Sequence, residues 1–237
     1  MAVEDFIYTP DTGGFLLVDK PLTWTSFNVV GKLRIAARIA AGRKMKVGHA
    51  GTLDPLATGL LIVAYGPFTK KLPMLQGAGK TYSGTITLGS TTPSYDLETT
   101  PDHHLPWEHL DEGAIRAGFA QFEGDIMQRP PNFSAKRFEG ERAYFLARDV
   151  ERAHLVDMPP VQVNIGRLEV VAIRGAEVDF EVDVSKGTYI RSLAHDIGQV
   201  LGCGAHLSAL RRTRIGEFDV KDALSPAEWS QRITPGA

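Results

Sequence analysis

Two stretches of the sequence alternate between apolar and polar residues, and this pattern restricts the chain to folds built on a largely antiparallel sheet. In "KTYSGTITLG", Tyr82, Gly84, Ile86 and Leu88 fall on one face and polar residues on the other. In "EVDFEVDV", valine and phenylalanine alternate with acids in the same way. Because successive side chains of a strand point to opposite faces, a period of two is typical of strands with one buried face.

Other segments predict helices and a buried strand. A helix capped by Thr25 or Ser26 should run to about Ala41, with one apolar face made of Val29, Leu33, Ala36 and Ala40. A second helix should contain the apolar stripe from Ile190 to Leu201. The run "LLIVAY" is short and bounded by glycines, which indicates a buried strand. Because strands outnumber helices, we predict an α+β fold with a curved, mixed, mostly antiparallel sheet flanked by helices.

The composition sets broad limits on what the protein can be. The 237 residues are 43% hydrophobic and 23% charged, which is enough for one large domain or two small ones. The first residues lack the basic flank and apolar centre of a signal peptide, and the apolar runs are too short to cross a bilayer. A single cysteine, Cys203, excludes an internal disulfide. We therefore expect a cytoplasmic protein with no membrane partner.

The charge distribution is more informative than the formal net charge of −2. Six basic residues and no acid lie between Lys32 and Lys46, and "RRTR" at 211–214 is a second dense cluster. Such clusters can bind phosphates, but a solvated helix face explains many of them equally well.

A single acid stands in the constrained loop "GHAGTLDPLATG", where Asp54 precedes a proline. Taken alone, an aspartate before proline often caps a turn. Lys186, Tyr189 and Arg191 lie where a predicted strand ends and a helix begins, a place where loops bring distant residues together. An arginine can keep a carboxylate ionised and aimed, as a nucleophilic aspartate requires.

Other kinds of site fit the sequence less well. A glycosidase needs a second poised acid, which Asp96, Glu98 or Asp196 could supply only through a coincidence of folding. The sequence has no phosphate-binding loop, no dinucleotide fingerprint and no metal-ligand spacing. These observations predict chemistry carried by a carboxylate, without a cofactor or a metal.

Four ordered motifs then give the sequence a specific resemblance. They are "KVGHAGTLDPLATGLLIVAYG", "KTYSGTITLG", "RPPNFSAK" and "SKGTYIRSLAHDIGQVLGCGAHLSALRRTRIGEF". In this order and spacing, from about Phe15 to Phe218, they resemble the TruB family of pseudouridine synthases. The resemblance implies the pseudouridine synthase fold and an enzyme that flips uridine 55 out of the T arm of tRNA and isomerises it to pseudouridine.

The resemblance also assigns roles to individual residues. It implies that Asp54 is the catalytic aspartate, that Tyr82 packs against the target base and that Arg191 pairs with the aspartate. It places the remaining candidates in contact with the RNA substrate. These substrate-binding candidates are His49, Tyr189, Lys186, Arg43, Lys46, Lys136 and Arg137.

The family pattern also predicts how the chain is organised. We expect one catalytic domain over 1–237, acting as a monomer without a protein partner, with a thumb-like insertion at about 124–152. The 19 residues after Phe218 are too few for the RNA-binding PUA domain that many relatives carry. Two residues depart from the pattern, because Phe133 stands in place of a tyrosine and Arg137 in place of a lysine.

Two alternative functions are compatible with the same four motifs. The chain could be the catalytic subunit of an RNA-guided complex, although it has no long basic tail. It could also be a non-enzymatic tRNA-binding or tRNA-folding factor, although such a factor would not need Asp54.

Overall fold

The computed structural model describes residues 13–134, 137–138, 141–142 and 158–234. The strands are β1 (Gly14–Lys20), β2 (Val47–His49), β3 (Ala57–Tyr65), β4 (Lys80–Leu88), β5 (Ser90–Thr91), β6 (His103–His104), β7 (Gly124–Gln128), β8 (Arg137–Phe138), β9 (Glu141–Arg142), β10 (Val161–Arg174), β11 (Glu177–Val184), β12 (Ala205–Ile215) and β13 (Phe218–Asp219). The α-helices are α1 (Ser26–Ala41), α2 (Leu72–Gly77), α3 (Glu112–Ala120), α4 (Ile190–Leu201) and α5 (Pro226–Ile233). Short 3₁₀ helices occupy Gly66–Lys71 and Val220–Asp222.

The chain divides into two compact units, each with its own share of strands and helices. The first unit consists of Met1–Ser83 and Leu210–Ala237, and the second consists of Gly84–Ala209. The boundary between them falls within β4 and within β12. Most strand pairs are antiparallel, and β3 with β12 is a parallel pair. The predicted α+β fold with a mixed, mostly antiparallel sheet is therefore confirmed.

In the first unit, β1 and β3 form an antiparallel pair that is covered on both faces. Leu61 and Val63 of β3 pack into one apolar cluster with α1 and α5, while Leu60 and Ile62 pack into a second cluster on the opposite face. Because both faces are buried, the strand is apolar at nearly every position and does not alternate. This explains why "LLIVAY" is a continuous apolar run.

Helix α1 begins and ends through specific caps. The hydroxyl of Thr25 accepts a hydrogen bond from the backbone N–H of Asn28, and Gly42 ends the helix with a left-handed φ of 62°. The predicted buried face is wrong at one position. Ala40 is exposed and Ala37 is buried instead, because the face that packs against the core continues through Ala37 to Ala41 in the last turn of the helix.

In the second unit, the long hairpin of β10 and β11 carries the alternation that the sequence predicts. Its buried residues Val178, Phe180, Val182 and Val184 face the core, while β7 pairs with the other edge of β10. Helices α3 and α4 pack together in this unit. The turn between β11 and α4 holds Lys186, Tyr189 and the start of the helix that contains Arg191.

The predicted thumb-like insertion falls partly outside the described residues. Within it, β7 is described and the backbones of β8 and β9 form a short antiparallel pair. Lys136 lies outside the described residues, and the structure describes the backbone of Arg137 but not its side chain. In the part of the chain that the structure describes, no helix has the length and apolar character needed to span a membrane.

Candidate active site

In the first unit, Asp54 lies in the loop between β2 and β3, and its neighbours in the loop are held by hydrogen bonds. The Ser26 hydroxyl accepts from the Leu53 N–H at 2.9 Å and donates to the Leu53 carbonyl at 3.2 Å. The Asp54 carbonyl accepts from the N–H of Ala57 at 3.1 Å. Asp54 itself is half-buried. The loop is thus an ordered support for one partly exposed carboxylate.

Lys20 lies in the same region and was not among the predicted site residues. Its side chain is fully buried and its ammonium donates to the carbonyls of Trp24 at 2.6 Å, Pro21 at 3.0 Å and Pro55 at 3.4 Å. Burial lowers the pKa of Lys20 to about 8, the charge of Asp54 acts to raise it, and the charge of Arg212 lowers it further. Lys20 therefore adds positive charge near Asp54 at neutral pH.

The other predicted residues of the first unit divide into buried and exposed groups. Tyr82 is buried, with 7% of its surface exposed, as expected for its place on the apolar face of β4. His49, at the end of β2, is half-buried, and burial lowers its pKa, so the imidazole is neutral at pH 7. Arg43 and Lys46 are exposed in the segment between α1 and β2. Arg43 and Lys46 are thus accessible to a phosphate ligand.

In the second unit, Arg191 is at the centre of a buried polar cluster. Its guanidinium donates to the carbonyl of Ser94 at 3.2 Å and to that of Phe133 at 3.0 Å. Its Nε lies 3.7 Å from Oδ2 of Asp96, and both side chains are almost completely buried. Because Phe133 contributes its backbone carbonyl, the replacement of tyrosine by phenylalanine leaves this contact intact. The expected pairing of Arg191 with Asp54 stays a prediction.

Asp96 was considered above only as a possible second acid of a glycosidase. The structure gives it a different role, because it forms an ion pair with Arg191 and accepts a hydrogen bond from the N–H of Glu98 at 3.0 Å. The sequence contains no local signal for this pair, since the two residues are far apart in the chain.

Tyr189 is positioned by a residue that the sequence did not single out. The side-chain amide of Gln128 accepts from the Tyr189 N–H at 2.8 Å and donates to the Tyr189 carbonyl at 3.1 Å. Gln128 is completely buried, so both bonds are protected from water. The Tyr189 side chain is half-buried, and Lys186 is exposed in the preceding turn.

Three further titratable groups lie in the middle of α4 and on the loop after β5. The rings of Tyr95 and His195 stack with their centroids 3.9 Å apart. Burial raises the pKa of Asp196 to about 6 and lowers the pKa of His195. Tyr95 has a left-handed φ of 63°, which is uncommon for a residue other than glycine.

The sequence predicts chemistry without a metal, so the arrangement of residue types that bind metals is relevant here. Within the described ranges, no group of three or more histidine, cysteine, aspartate or glutamate residues is arranged to hold a metal ion.

The sequence matches the models of one protein family over most of its length. Residues 38–190 match the model described as TruB family pseudouridylate synthase (N terminal domain). Residues 191–231 match the model described as tRNA pseudouridylate synthase B C-terminal domain.

Two curated proteins named tRNA pseudouridine synthase B illustrate the similarity, which covers nearly the whole length of each. The protein of Flavobacterium johnsoniae is 49% identical over 214 residues, covering 90% of this chain and 92% of the relative. The protein of Chlorobaculum tepidum is 44% identical over 228 residues, covering 96% of this chain and 93% of the relative.

Solved structures with the same fold include chains from two complexes that contain Cbf5 and Nop10. A chain of the archaeal box H/ACA sRNP Nop10-Cbf5 complex is 29% identical with a TM-score of 0.65, and a chain of a Cbf5-Nop10-Gar1 complex is 29% identical with a TM-score of 0.68. Both matches cover 98% of this chain. This chain spans only 56% and 61% of the length of those two chains.

The depressed pKa of Lys20 predicts a specific dependence of stability on pH. Between about pH 8 and about pH 10.5, the unfolded chain keeps a proton that the folded chain has lost, so the free energy of unfolding should rise with pH. Wild type should gain up to about 3 kcal/mol relative to Lys20→Met across this window. The penalty for burying the charge is fully present below about pH 8 and disappears above the unfolded pKa. Urea unfolding of both proteins at about pH 7.5 and about pH 10 measures the difference. Parallel changes in the two proteins would show that Lys20 does not titrate in this window.

Proposed function

The chain belongs to the TruB family of pseudouridine synthases and is thus an enzyme that isomerises uridine in tRNA, and we propose that it acts on uridine 55 of the T loop through Asp54. The observation that carries this proposal is the Asp54 loop, where one partly exposed carboxylate stands on a hydrogen-bonded backbone. Near-full-length similarity to proteins named tRNA pseudouridine synthase B supports tRNA as the substrate.

The reaction itself explains why a single carboxylate is sufficient. The bond from uracil N1 to ribose C1′ breaks, the base rotates while it stays bound, and a bond from C5 to C1′ forms. The proton on C5 leaves and N1 gains a proton, so substrate and product have the same composition. Asp54 either attacks C1′ or removes a proton from the ribose, and both routes need an ionised carboxylate.

The target uridine must leave the folded loop of the tRNA before Asp54 can reach it. Extruding a base costs roughly a few kcal/mol. Stacking on an aromatic ring returns about 1 to 3 kcal/mol per base. We assign this stacking to Tyr82, with Tyr189 and the neutral imidazole of His49 as further contacts to the extruded nucleotide. The Gln128 amide supports the role of Tyr189, because it fixes the backbone that carries the ring.

Arg191 is the proposed partner of the Asp54 carboxylate. Its contacts with Asp96, Ser94 and Phe133 hold the guanidinium in one orientation before any substrate binds. A preorganised cation stabilises charge without reorganising during the reaction.

We propose that the exposed basic residues bind phosphates of the RNA backbone. Arg43, Lys46 and Lys186 are exposed and suited to phosphate contacts. Lys136 and Arg137 complete the proposed set on the thumb-like insertion. We further propose that the chain acts without a protein partner, since the curated relatives that it matches over nearly their whole length are themselves named as the synthase.

Replacing Asp54 with asparagine should stop the reaction and leave tRNA binding in place. The amide cannot act as a nucleophile or base, so we expect tritium release from C5-labelled uridine in a tRNA transcript to slow by more than about 1,000-fold. Affinity for the transcript should stay near wild type. Glu217→Gln, which removes an exposed acid of the same unit, is the matched control. A rate above about a tenth of wild type would rule out Asp54 as the reacting group.

Replacing Arg191 with lysine should slow the chemical step rather than weaken binding. Lysine keeps the charge near Asp96 but cannot reproduce the several directional contacts of the guanidinium. We expect the single-turnover rate constant at saturating enzyme to fall by about 100-fold, with little change in Kd. Arg116→Lys, on the exposed side of α3, is the control. A loss of affinity with an unchanged rate would reassign Arg191 to phosphate binding.

Affinity for tRNA should depend strongly on salt. If Arg43 and Lys46 contact phosphates, the slope of log affinity against log salt should become shallower by about 0.7 to 0.9 for each contact removed. The Arg43→Ala and Lys46→Ala double variant, measured beside Lys221→Ala as a control for lost surface charge, tests this expectation. An unchanged slope in the double variant would exclude these residues from the RNA interface.

A further inference from the structure

Arg212 is a buried cation of the first unit that the proposed reaction does not yet use. It belongs to the basic cluster "RRTR", yet only 1% of its surface is exposed. Its neighbour Arg211 forms an ion pair with Asp19, and Arg214 is exposed. Arg212 is therefore inaccessible to a phosphate, and its burial needs another explanation.

The Arg212 guanidinium donates its hydrogen bonds to backbone carbonyls. Nε donates to the carbonyl of Leu60 at 2.7 Å, Nη2 to that of Gly51 at 3.2 Å and Nη1 to that of Thr52 at 3.4 Å. Gly51 and Thr52 lie directly before Leu53 and Asp54 in the chain. The three guanidinium nitrogens of Arg212 act as a fork of donors. This fork connects β3 to the first half of the Asp54 loop.

The second half of the loop is held equally well by other donors. The Pro55 carbonyl accepts from the Thr23 N–H at 2.8 Å and from the ammonium of Lys20 at 3.4 Å. With the bonds to Leu53 and Asp54 described above, each carbonyl from Gly51 to Pro55 has a donor. Such complete pairing leaves the backbone beneath the carboxylate few alternative conformations.

The position of Arg212 is itself fixed by its strand. Arg212 pairs with Gly59 in the parallel register of β12 and β3. A Cβ atom at Gly59 would lie 2.3 Å from the Arg212 carbonyl oxygen, and Gly59 has a φ of 101°. Only glycine permits this close approach. The guanidinium is thus carried by a strand of fixed register, from which it contacts the Asp54 loop.

We propose that Arg212 is a positioning residue for the reaction, because its fork holds the Gly51 and Thr52 carbonyls and so aims the Asp54 carboxylate. This inference rests on the proposed function, in which Asp54 reacts with the uridine. Misplacing a reacting group by about 1 Å can cost roughly 100-fold in rate. Losing the fork should therefore affect the rate at saturating substrate and not the affinity for RNA.

Arg212→Lys is the test variant, because it keeps the buried charge and loses the fork. Under single-turnover conditions with saturating enzyme, we expect tritium release from C5-labelled tRNA to slow by about 10- to 100-fold, with Kd for tRNA within about 2-fold of wild type. The saturated rate constant does not depend on the folded fraction of the enzyme, so a purely structural role would leave it unchanged. Arg212→Gln, which keeps an amide donor and removes the charge, should show the same split between rate and affinity.

Arg211→Lys is the matched control and should retain the wild-type rate, since its side chain pairs with Asp19 and does not reach the Gly51 and Thr52 carbonyls. A wild-type rate constant in Arg212→Lys would overturn the inference, and so would a loss confined to Kd. If wild type and Arg211→Lys both release no tritium, the proposed function fails instead, so the two failures can be told apart.

Discussion

Every backbone carbonyl of the Asp54 loop from Gly51 to Pro55 accepts a hydrogen bond from the protein, and side chains of three elements of the first unit supply most of these bonds. Lys20 at the end of β1, Ser26 at the start of α1 and Arg212 on β12 each reach the loop from a different element. Each bond fixes the position of one loop carbonyl, so the donors together orient the backbone that carries Asp54. The consequence is a carboxylate whose support is built before any substrate arrives.

The second unit uses the same physical device around its own candidate residues. Arg191 is held by Asp96 and by two backbone carbonyls, and Tyr189 is held through its backbone by the Gln128 amide. In each case a buried polar side chain fixes a residue of the proposed site. Such support means that these side chains need not reorient during the reaction. A preorganised site can therefore accelerate the reaction with few reacting groups.

Local patterns predicted the elements of this fold better than they predicted the supports of the site. The cap at Thr25 and the alternation in β4 and β11 depend on neighbouring residues, so the sequence indicated them directly. Arg212 looks identical to Arg211 in the sequence, and its burial depends on carbonyls 152 to 161 residues away in the chain. Gln128 has no motif of its own, because its partner Tyr189 lies 61 residues away. The residues proposed to react carried a family signature, whereas the residues that hold them became evident only from the folded chain.

The central claim is that one fixed carboxylate isomerises one uridine of tRNA, and mapping the product by position tests it most directly. A full-length tRNA transcript can be incubated to completion with wild type or Asp54→Asn, treated with carbodiimide and read by primer extension, which stops at each pseudouridine. The account predicts a single stop at position 55 with wild type and none with the variant. A stop at another position, or a stop at 55 that persists in the variant, would contradict it.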